Sequence, residues 1–253
     1  LPHRAYPLAD ASEAFRLMQQ SRHVGKIVLD IAGGHRRVEP PPPPPLSLRP
    51  DATYAIAGGL GGFGLETARW LVDRGARSIV LVGRSGSARA EAAAAVETLR
   101  ARGADIRVMS ADITDLAQVE RMMRIIGEEM PPLRGVIHAA MVIDDAIATG
   151  LTRERIRNVL SPKMIGAWNL HLATKDRPLD FFVVYSSAAA VIGNEGQSAY
   201  GAANLFLDGL AQYRRARGLP ATSVAWGAIG DVGYLADRAV VRKALAERFG
   251  VNA

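Results

Sequence analysis

The chain has 253 residues, of which 49% are hydrophobic and only 6% are aromatic, and its formal net charge is +6. The charge excess is divided evenly between residues 1–49 and the remainder, and the absence of a basic block argues against nucleic-acid binding. No cysteine is present, which excludes a disulfide framework and a thiolate site, and we predict no metal site. Residues 1–20 lack a signal-peptide pattern and no apolar run is long enough to span a membrane, so we expect a cytoplasmic location.

Residues 1–31 predict one helix, over residues 11–18, and one strand, within residues 23–29. The apolar positions of the helix share one face: Ala11, Ala14, Phe15 and Met18. One helix and one strand cannot bury a core alone. The segment resembles the C-terminal end of medium-chain reductases of the enoyl reductase type, in the patterns Tyr6-Pro-Leu, Ala14-Phe and Gly25-Lys-Ile-Val. We therefore interpret residues 1–31 as the tail of a preceding domain.

Residues 32–50 predict a linker. Six consecutive prolines, Pro40 to Pro45, cannot join a helix or a central strand, and they favour a stiff polyproline segment. A spacer is the interpretation that fits its place between two ordered patterns, and a proline-rich ligand for a partner domain is the alternative.

Residues 51–253 predict an α/β domain in which strands and helices alternate. Six apolar strands are expected at residues 53–57, 78–82, 105–109, 134–138, 179–185 and 221–226. This order predicts a Rossmann-like, doubly wound parallel sheet with helices on both faces. We expect Pro162 to interrupt the helix before the fifth strand. A last amphipathic helix is expected at residues 237–249, without a clear seventh strand, so the domain is predicted to be truncated within a substrate lid.

A glycine-rich turn after the first of these strands predicts a dinucleotide site. Glycines let the backbone turn tightly and approach a ligand, and the following helix directs free N–H groups at the same point. The predicted contacts are the seven residues of this turn: Gly58, Gly59, Leu60, Gly61, Gly62, Phe63 and Gly64. A tight turn in an unrelated α/β protein is the alternative.

The loop after the second strand predicts which dinucleotide is bound. An acidic residue there would select NAD, whereas an arginine accommodates the 2′-phosphate of NADP. The loop offers Arg84 and Ser85 and no acid, so NADP is expected, with a surface arginine as the alternative. Asp112, after the third strand, is predicted to contact the adenine or else to serve as a turn residue.

Four polar residues in the second half of the domain predict acid–base chemistry. Ser187 ends the fifth strand, and Tyr200 and Asn204 share one face of the next helix. A tyrosine has a pKa of ~10, and a nearby ammonium such as that of Lys163 would lower it. Taken singly, the tyrosine could be a core residue, the serine a strand-end cap and the lysine a solvated surface group.

In combination, these residues resemble the ketoreductase domains of type I reducing polyketide synthases and animal-type fatty acid synthases, which are short-chain dehydrogenases/reductases. The spacing of Lys163, Ser187 and Tyr200 matches, and Asn204 stands where ordinary short-chain dehydrogenases carry lysine. The resemblance covers residues 53–233 and adds further cofactor contacts: Ile113, His138, Ala139 and Ala140. Among these synthases, we expect the chain to be most similar to the mycobacterial synthases of methyl-branched lipids.

The resemblance implies NADPH-dependent reduction of a β-ketoacyl thioester carried by the phosphopantetheine of an acyl carrier protein. Neighbouring enoyl reductase and dehydratase domains are the other expected partners. A non-catalytic pseudo-ketoreductase and a free-standing NADP-dependent reductase remain alternatives. Acyl chain length, final product and oligomeric state are not predicted.

Two departures from the family pattern and one stereochemical motif complete the predictions. Ala57 replaces the usual threonine before the first glycine, and Met141 replaces the usual glycine after His-Ala-Ala. Ile143-Asp144-Asp145 resembles the motif of B-type domains, which give a D-hydroxy product, and Ile192 stands where A-type domains carry tryptophan. The predicted substrate and stereochemistry residues are Asp145, Met141 and Gln197, with solvated loop charges as the alternative for the aspartates.

Overall fold

The computed structural model describes residues 2–31, 48–84, 86 and 90–227. The chain divides into two compact units, Leu1–Leu46 and Ser47–Ala253. The predicted proline-rich run, Ser85, the Trp226–Gly233 stretch beyond Gly227 and the helix expected at residues 237–249 lie outside the described residues.

The first unit is a parallel strand pair joined by a helix. Its elements are β1 (His3–Pro7), α1 (Ala11–Gln19) and β2 (Lys26–Asp30). The helix agrees with the expectation, but β1 was not predicted, because its sequence is short, polar and almost entirely exposed. On the expected apolar face, Ala14 is buried, whereas Phe15 and Met18 are exposed.

The second unit alternates strands and helices as predicted. Its elements are β3 (Thr53–Ala57), α2 (Gly62–Asp73), β4 (Ser78–Gly83), α3 (Ala90–Ala101), β5 (Asp105–Ser110), α4 (Leu116–Glu129), β6 (Leu133–His138), α5 (Arg153–Thr174), β7 (Phe181–Ser187), α6 (Ala189–Ile192), α7 (Ser198–Arg215) and β8 (Thr222–Trp226). All neighbouring strands of the sheet are parallel, in the order β5-β4-β3-β6-β7-β8. This confirms the predicted Rossmann-like fold. The strand order reverses between β3 and β6, where such sheets open a crevice at their carboxyl ends.

Alternate residues of the central strands build two separate cores. On one face, Ala55 and Val80 pack with side chains of α4, α5 and α7. On the other face, Ile56 and Leu81 pack with side chains of α2 and α3. Burial of each such branched side chain contributes about 1.5–3 kcal/mol, so the two cores hold the carboxyl ends of β3, β6 and β7 in fixed positions.

The expectation that Pro162 interrupts the helix before β7 is wrong, because α5 continues through it. A proline removes one backbone donor but leaves the other helical bonds in place. Val159 before the proline is buried. Ala167 and Leu170 after it are buried in the core that β3 and β4 share with α4, α5 and α7. Packing on both sides therefore holds the helix together, and it keeps Lys163 in the middle of α5.

Candidate active site

The glycine-rich turn lies at the point where the strand order reverses. Gly58 has a φ of +79°, and its N–H donates to the carbonyl of Val82 at 2.9 Å. A Cβ at this position would lie 2.5 Å from the backbone nitrogen of Ala140. The N–H of Ala139 donates to the carbonyl of Ala57 at 2.8 Å. Only glycine fits here, and the turn and the end of β6 hold each other.

The turn leaves the start of α2 open to a ligand. A Cβ at Gly64 would lie 2.3 Å from the carbonyl oxygen of Gly58, whereas Gly61 has no comparable obstruction. In the described part of the chain, no side chain caps this helix, whose N-cap residue is Gly61. The first N–H groups of a helix lack intrahelical partners and favour an anion. The residues of this turn therefore fit a dinucleotide pyrophosphate.

Two of the predicted turn contacts have clear structural roles. Leu60 packs against Gly83, where its Cδ1 atom would be 3.0 Å from an added Cβ. The ring of Phe63 contacts those of Tyr185 and Trp226, with centroid distances of 4.9 and 4.7 Å. Phe63 thus ties the glycine-rich turn to β7 and β8, a role that its place in the glycine motif did not suggest.

The predicted adenosine-side contacts surround the ends of β4 and β5. Arg84 is exposed, and its carbonyl accepts a hydrogen bond from Ser110 at 2.8 Å. The carboxylate of Asp112 accepts bonds from the N–H and hydroxyl of Thr114, at 2.9 and 2.8 Å, so it stabilises the turn before α4. Ile113 is buried in the core. Cofactor roles for these residues remain predictions.

The side chain of Lys163 is buried beneath the site. It is 2% exposed, its Nζ donates to the carbonyl of Tyr185 at 2.7 Å, and it lies 5.6 Å from the ring centroid of Tyr200. Burial lowers the pKa of this ammonium to about 7, and the charge of Asp208 offsets part of that shift. The alternative of a solvated surface lysine is therefore excluded.

The hydroxyl of Tyr200 faces the loop after β6. Its contact there is the Sδ atom of Met141, at 3.9 Å. Burial raises the pKa of Tyr200, the nearby side chains of Asn204 and Ser187 offset part of the shift, and the charge of Asp145 adds to it. The expected lowering of the pKa of Tyr200 is absent, because the effect of burial outweighs that of the neighbouring side chains.

Ser187 and Asn204 complete the predicted group. Ser187 is the last residue of β7. Its Oγ accepts a hydrogen bond, at 3.2 Å, from the N–H of Ala189, the first residue of α6. The amide nitrogen of Asn204 donates to the carbonyl of Tyr200 at 2.8 Å. Its buried Oδ1 has no hydrogen-bond partner within the described residues. The structure thus brings Lys163, Ser187, Tyr200 and Asn204 together at the carboxyl end of β7.

His138 was expected among the cofactor contacts but is sealed within the protein. It is 1% exposed, and in the described part of the chain neither ring nitrogen has a hydrogen-bond partner. Burial lowers its pKa to about 3, with a further contribution from the charge of Lys163. His138 therefore underlies the site as a neutral side chain next to the lysine, a proximity that no spacing in the sequence signals.

The loop after β6 is tied to the start of α7. Gln197 donates to a carboxylate oxygen of Asp145 at 2.9 Å, and the N–H of Ala146 donates to the carbonyl of Gly196 at 2.9 Å. Arg155 holds the same loop by a 2.6 Å ion pair with Asp144. Sequence reasoning missed Arg155, since an arginine in a helix carries no signal of its partner.

The fold and the site define a Rossmann-like α/β domain with a lysine, a serine and a tyrosine at the carboxyl end of its parallel sheet. A family model described as "KR domain" matches residues 52–231. The chain belongs to this family, the ketoreductase domains of polyketide synthases.

Curated relatives are large synthases. The chain is 46% identical over 235 residues to a phenolphthiocerol/phthiocerol polyketide synthase subunit from Mycobacterium tuberculosis, covering 92% of this chain and 11% of that protein. It is 44% identical over 239 residues to the reducing polyketide synthase rdc5 of Metacordyceps chlamydosporia, covering 93% of this chain and 10% of that protein. The chain thus spans about a tenth of the length of these relatives.

Several solved structures of similar fold are ketoreductases. An A-type ketoreductase from a modular polyketide synthase has a TM-score of 0.73 at 37% identity, with 80% of this chain and 42% of that chain covered. A ketoreductase domain from the bacillaene assembly line has a TM-score of 0.74 at 32% identity, with 92% and 58% covered. Among the described residues, no helix has the length and apolar character that crossing a membrane requires.

Proposed function

We propose that this chain reduces a β-ketoacyl thioester on an acyl carrier protein to the β-hydroxyacyl thioester, with NADPH as the reductant. The observation that carries the proposal is the gathering of Lys163, Ser187, Tyr200 and Asn204 at the carboxyl end of β7. Tyr185 of this strand contacts Phe63 of the glycine-rich turn. The membership in a reductase family supports it. By the same proposal the domain works in the cytoplasm beside enoyl reductase and dehydratase domains of one synthase.

The residues of the site divide the chemistry among them. A nicotinamide cofactor held by the glycine-rich turn would supply the hydride for the ketone carbon. Tyr200, held by burial in its protonated form, gives its hydroxyl proton to the oxygen that gains negative charge. Ser187, at the end of β7, donates a hydrogen bond to the same oxygen. Protonated Lys163, over the tyrosine ring, stabilises the resulting phenolate.

A preference for NADPH over NADH is proposed from the loop after β4. Arg84 is the exposed cation there, and its position suits a 2′-phosphate. The glycine turn would hold the pyrophosphate at the N-terminus of α2 through free N–H groups.

A B-type outcome, giving the D-hydroxy product, is proposed from Asp145. Its link to Gln197 places a carboxylate between the loop after β6 and the helix that carries Tyr200. The solved relative described as A-type shares the fold, so the fold does not distinguish the two outcomes.

The test is NADPH oxidation with a simple β-ketoacyl thioester, followed by chiral analysis of the product. Reduction with formation of the D-hydroxy product is expected. No reduction by a chain that binds NADPH would support the non-catalytic alternative, and an L-hydroxy product would overturn only the B-type proposal.

Asp145→Ala, with Asp176→Ala as a control on the loop after α5, tests whether the carboxylate acts on stereochemistry.

A further inference from the structure

Three elements of the fold surround the buried ammonium of Lys163, and none of them pairs it with a carboxylate. Its Nζ donates to the carbonyl of Tyr185 on β7, and the ring of Tyr200 lies beside it on α7. The ring of His138, on β6, is neutral because burial and the charge of Lys163 lower its pKa to about 3. Among the ion pairs of the described residues, none includes Lys163. A buried cation without a partner is costly, so its charge depends on more distant groups.

One carboxylate acts on this ammonium from α7. Asp208 follows Tyr200 and Asn204 at steps of four residues, so the three side chains share one face of the helix. Burial lowers the pKa of Lys163, and the negative charge of Asp208 opposes that effect. Since Lys163 is buried, salt and water screen the attraction weakly, and Asp208 can act without direct contact.

The carboxylate of Asp208 is held by the neighbouring strand. The hydroxyl of Ser223, on β8, donates a hydrogen bond to Oδ1 of Asp208. Ser223 pairs with Val184 of β7, the residue before Tyr185. The anchor of the carboxylate and the carbonyl that receives the Lys163 bond thus belong to adjacent positions of one strand pair. The position of the negative charge is therefore set by the sheet as well as by α7.

We propose that Asp208 is a positioning residue: anchored by Ser223, its negative charge keeps Lys163 protonated while Tyr200 gives up its proton. Asp208 would act through Lys163 and not on the substrate. This inference rests on the proposed function, in which a charged Lys163 stabilises the tyrosine phenolate. A neutral lysine would leave the phenolate without that cation, so reduction should slow as Lys163 loses its proton.

The expected pH dependence has a defined sign. Removal of the Asp208 charge leaves burial unopposed, so the pKa of Lys163 falls below its value of about 7. Burial raises the pKa of Tyr200, so loss of activity near neutral pH belongs to Lys163 and not to the tyrosine. The alkaline limb of the activity profile should therefore move to lower pH. Above this limb, each pH unit of displacement lowers kcat/KM about tenfold at a fixed pH.

The test is the pH profile of kcat/KM for the 3-oxobutanoyl thioester of N-acetylcysteamine, with saturating NADPH, from about pH 5 to about pH 9. Asp208→Asn keeps the shape and an acceptor for Ser223 but removes the charge. We expect its alkaline limb at lower pH, with the plateau on the acid side changed less than about twofold. Ser223→Ala frees the carboxylate and should displace the limb in the same direction by a smaller amount. Asp176→Asn, on the loop after α5, is the matched control and should follow the wild type.

A second measurement follows Lys163 without turnover. The lysines of the chain are Lys26, Lys163, Lys175 and Lys243, so labelling with ε-¹³C-lysine gives few NMR signals, and Lys163→Met identifies the signal of Lys163. This signal should titrate at lower pH in Asp208→Asn than in the wild type and should be unchanged in Asp176→Asn. If Asp208→Asn does not fold, Ser223→Ala carries both measurements.

Three outcomes would overturn the inference. They are an unchanged titration of Lys163 in Asp208→Asn, a displaced titration with an unmoved activity profile, and a uniform loss of activity at every pH, which would indicate a structural role alone. A wild type that does not reduce the thioester would contradict the proposed function instead, and the NMR titration would still decide whether Asp208 acts on Lys163.

Discussion

Lys163 lies over the ring of Tyr200, with its Nζ 5.6 Å from the ring centroid, but its ammonium donates to the carbonyl of Tyr185 rather than to the tyrosine hydroxyl. The two residues are therefore close enough to interact without forming a hydrogen bond. In this arrangement, burial lowers the pKa of Lys163 to about 7 and raises that of Tyr200. The tyrosine is consequently kept protonated, as its proposed role of proton donor requires, and any stabilisation of its phenolate must come as the reaction proceeds.

Lys163→Met should remove a rise in the free energy of unfolding that the wild type shows between pH 7 and pH 10. The lysine has a pKa of about 7 in the folded chain and near 10.4 when unfolded, so the unfolded state binds more protons between these values. Lys163 therefore makes the wild type more stable as pH rises from 7 to 10, by on the order of 4 kcal/mol. Urea unfolding at pH 7 and pH 10 measures this rise.

Lys175→Met, which removes an exposed lysine at the end of the same helix, is the control and should behave as the wild type does. Equal stability changes with pH in Lys163→Met and the wild type would contradict the assigned burial effect. We also expect Lys163→Met to lose reductase activity while it folds.

Gly58→Ala should abolish NADPH binding and destabilise the domain. Its positive φ and its contact with Ala140 leave no space for a Cβ. Gly103→Ala is a matched control, since Gly103 has a φ of +82° but nothing within 4 Å of an added Cβ. The control should cost about 1 kcal/mol through backbone strain alone, with NADPH binding retained. Similar NADPH affinities in the two variants would contradict the proposed cofactor cradle.

Arg84→Ala should narrow the preference for NADPH over NADH. Loss of one charge-assisted contact to the 2′-phosphate corresponds to about a tenfold change in the ratio of kcat/KM values. Arg102→Ala removes another exposed arginine, which is paired with Asp73, and should leave the ratio unchanged. An unchanged ratio in Arg84→Ala would count against the 2′-phosphate contact.

The sequence predicted most of the second unit because its central strands, β3, β4 and β6, are buried on both faces and read as apolar runs, such as Ile79 to Val82. It missed β1, whose residues are polar and exposed, and it misjudged Pro162, because packing of α5 outweighs the loss of one helical bond. The group of Lys163, Ser187, Tyr200 and Asn204 was predicted from a spacing that resembles that of a known family. The ion pair of Arg155 with Asp144 was not predicted, because it depends on how α5 packs against the loop after β6.

The most direct test of the central claim compares Tyr200→Phe with Tyr213→Phe. Both replace a tyrosine of α7, but Tyr213 packs against Trp168 and His171, away from the proposed site. The measurement is NADPH oxidation with a β-ketoacyl thioester, together with NADPH affinity from fluorescence titration. Tyr200→Phe should lower kcat by about 10²–10⁴-fold with NADPH affinity retained, whereas Tyr213→Phe should keep its activity. Near-normal turnover by Tyr200→Phe would contradict its role as the proton donor.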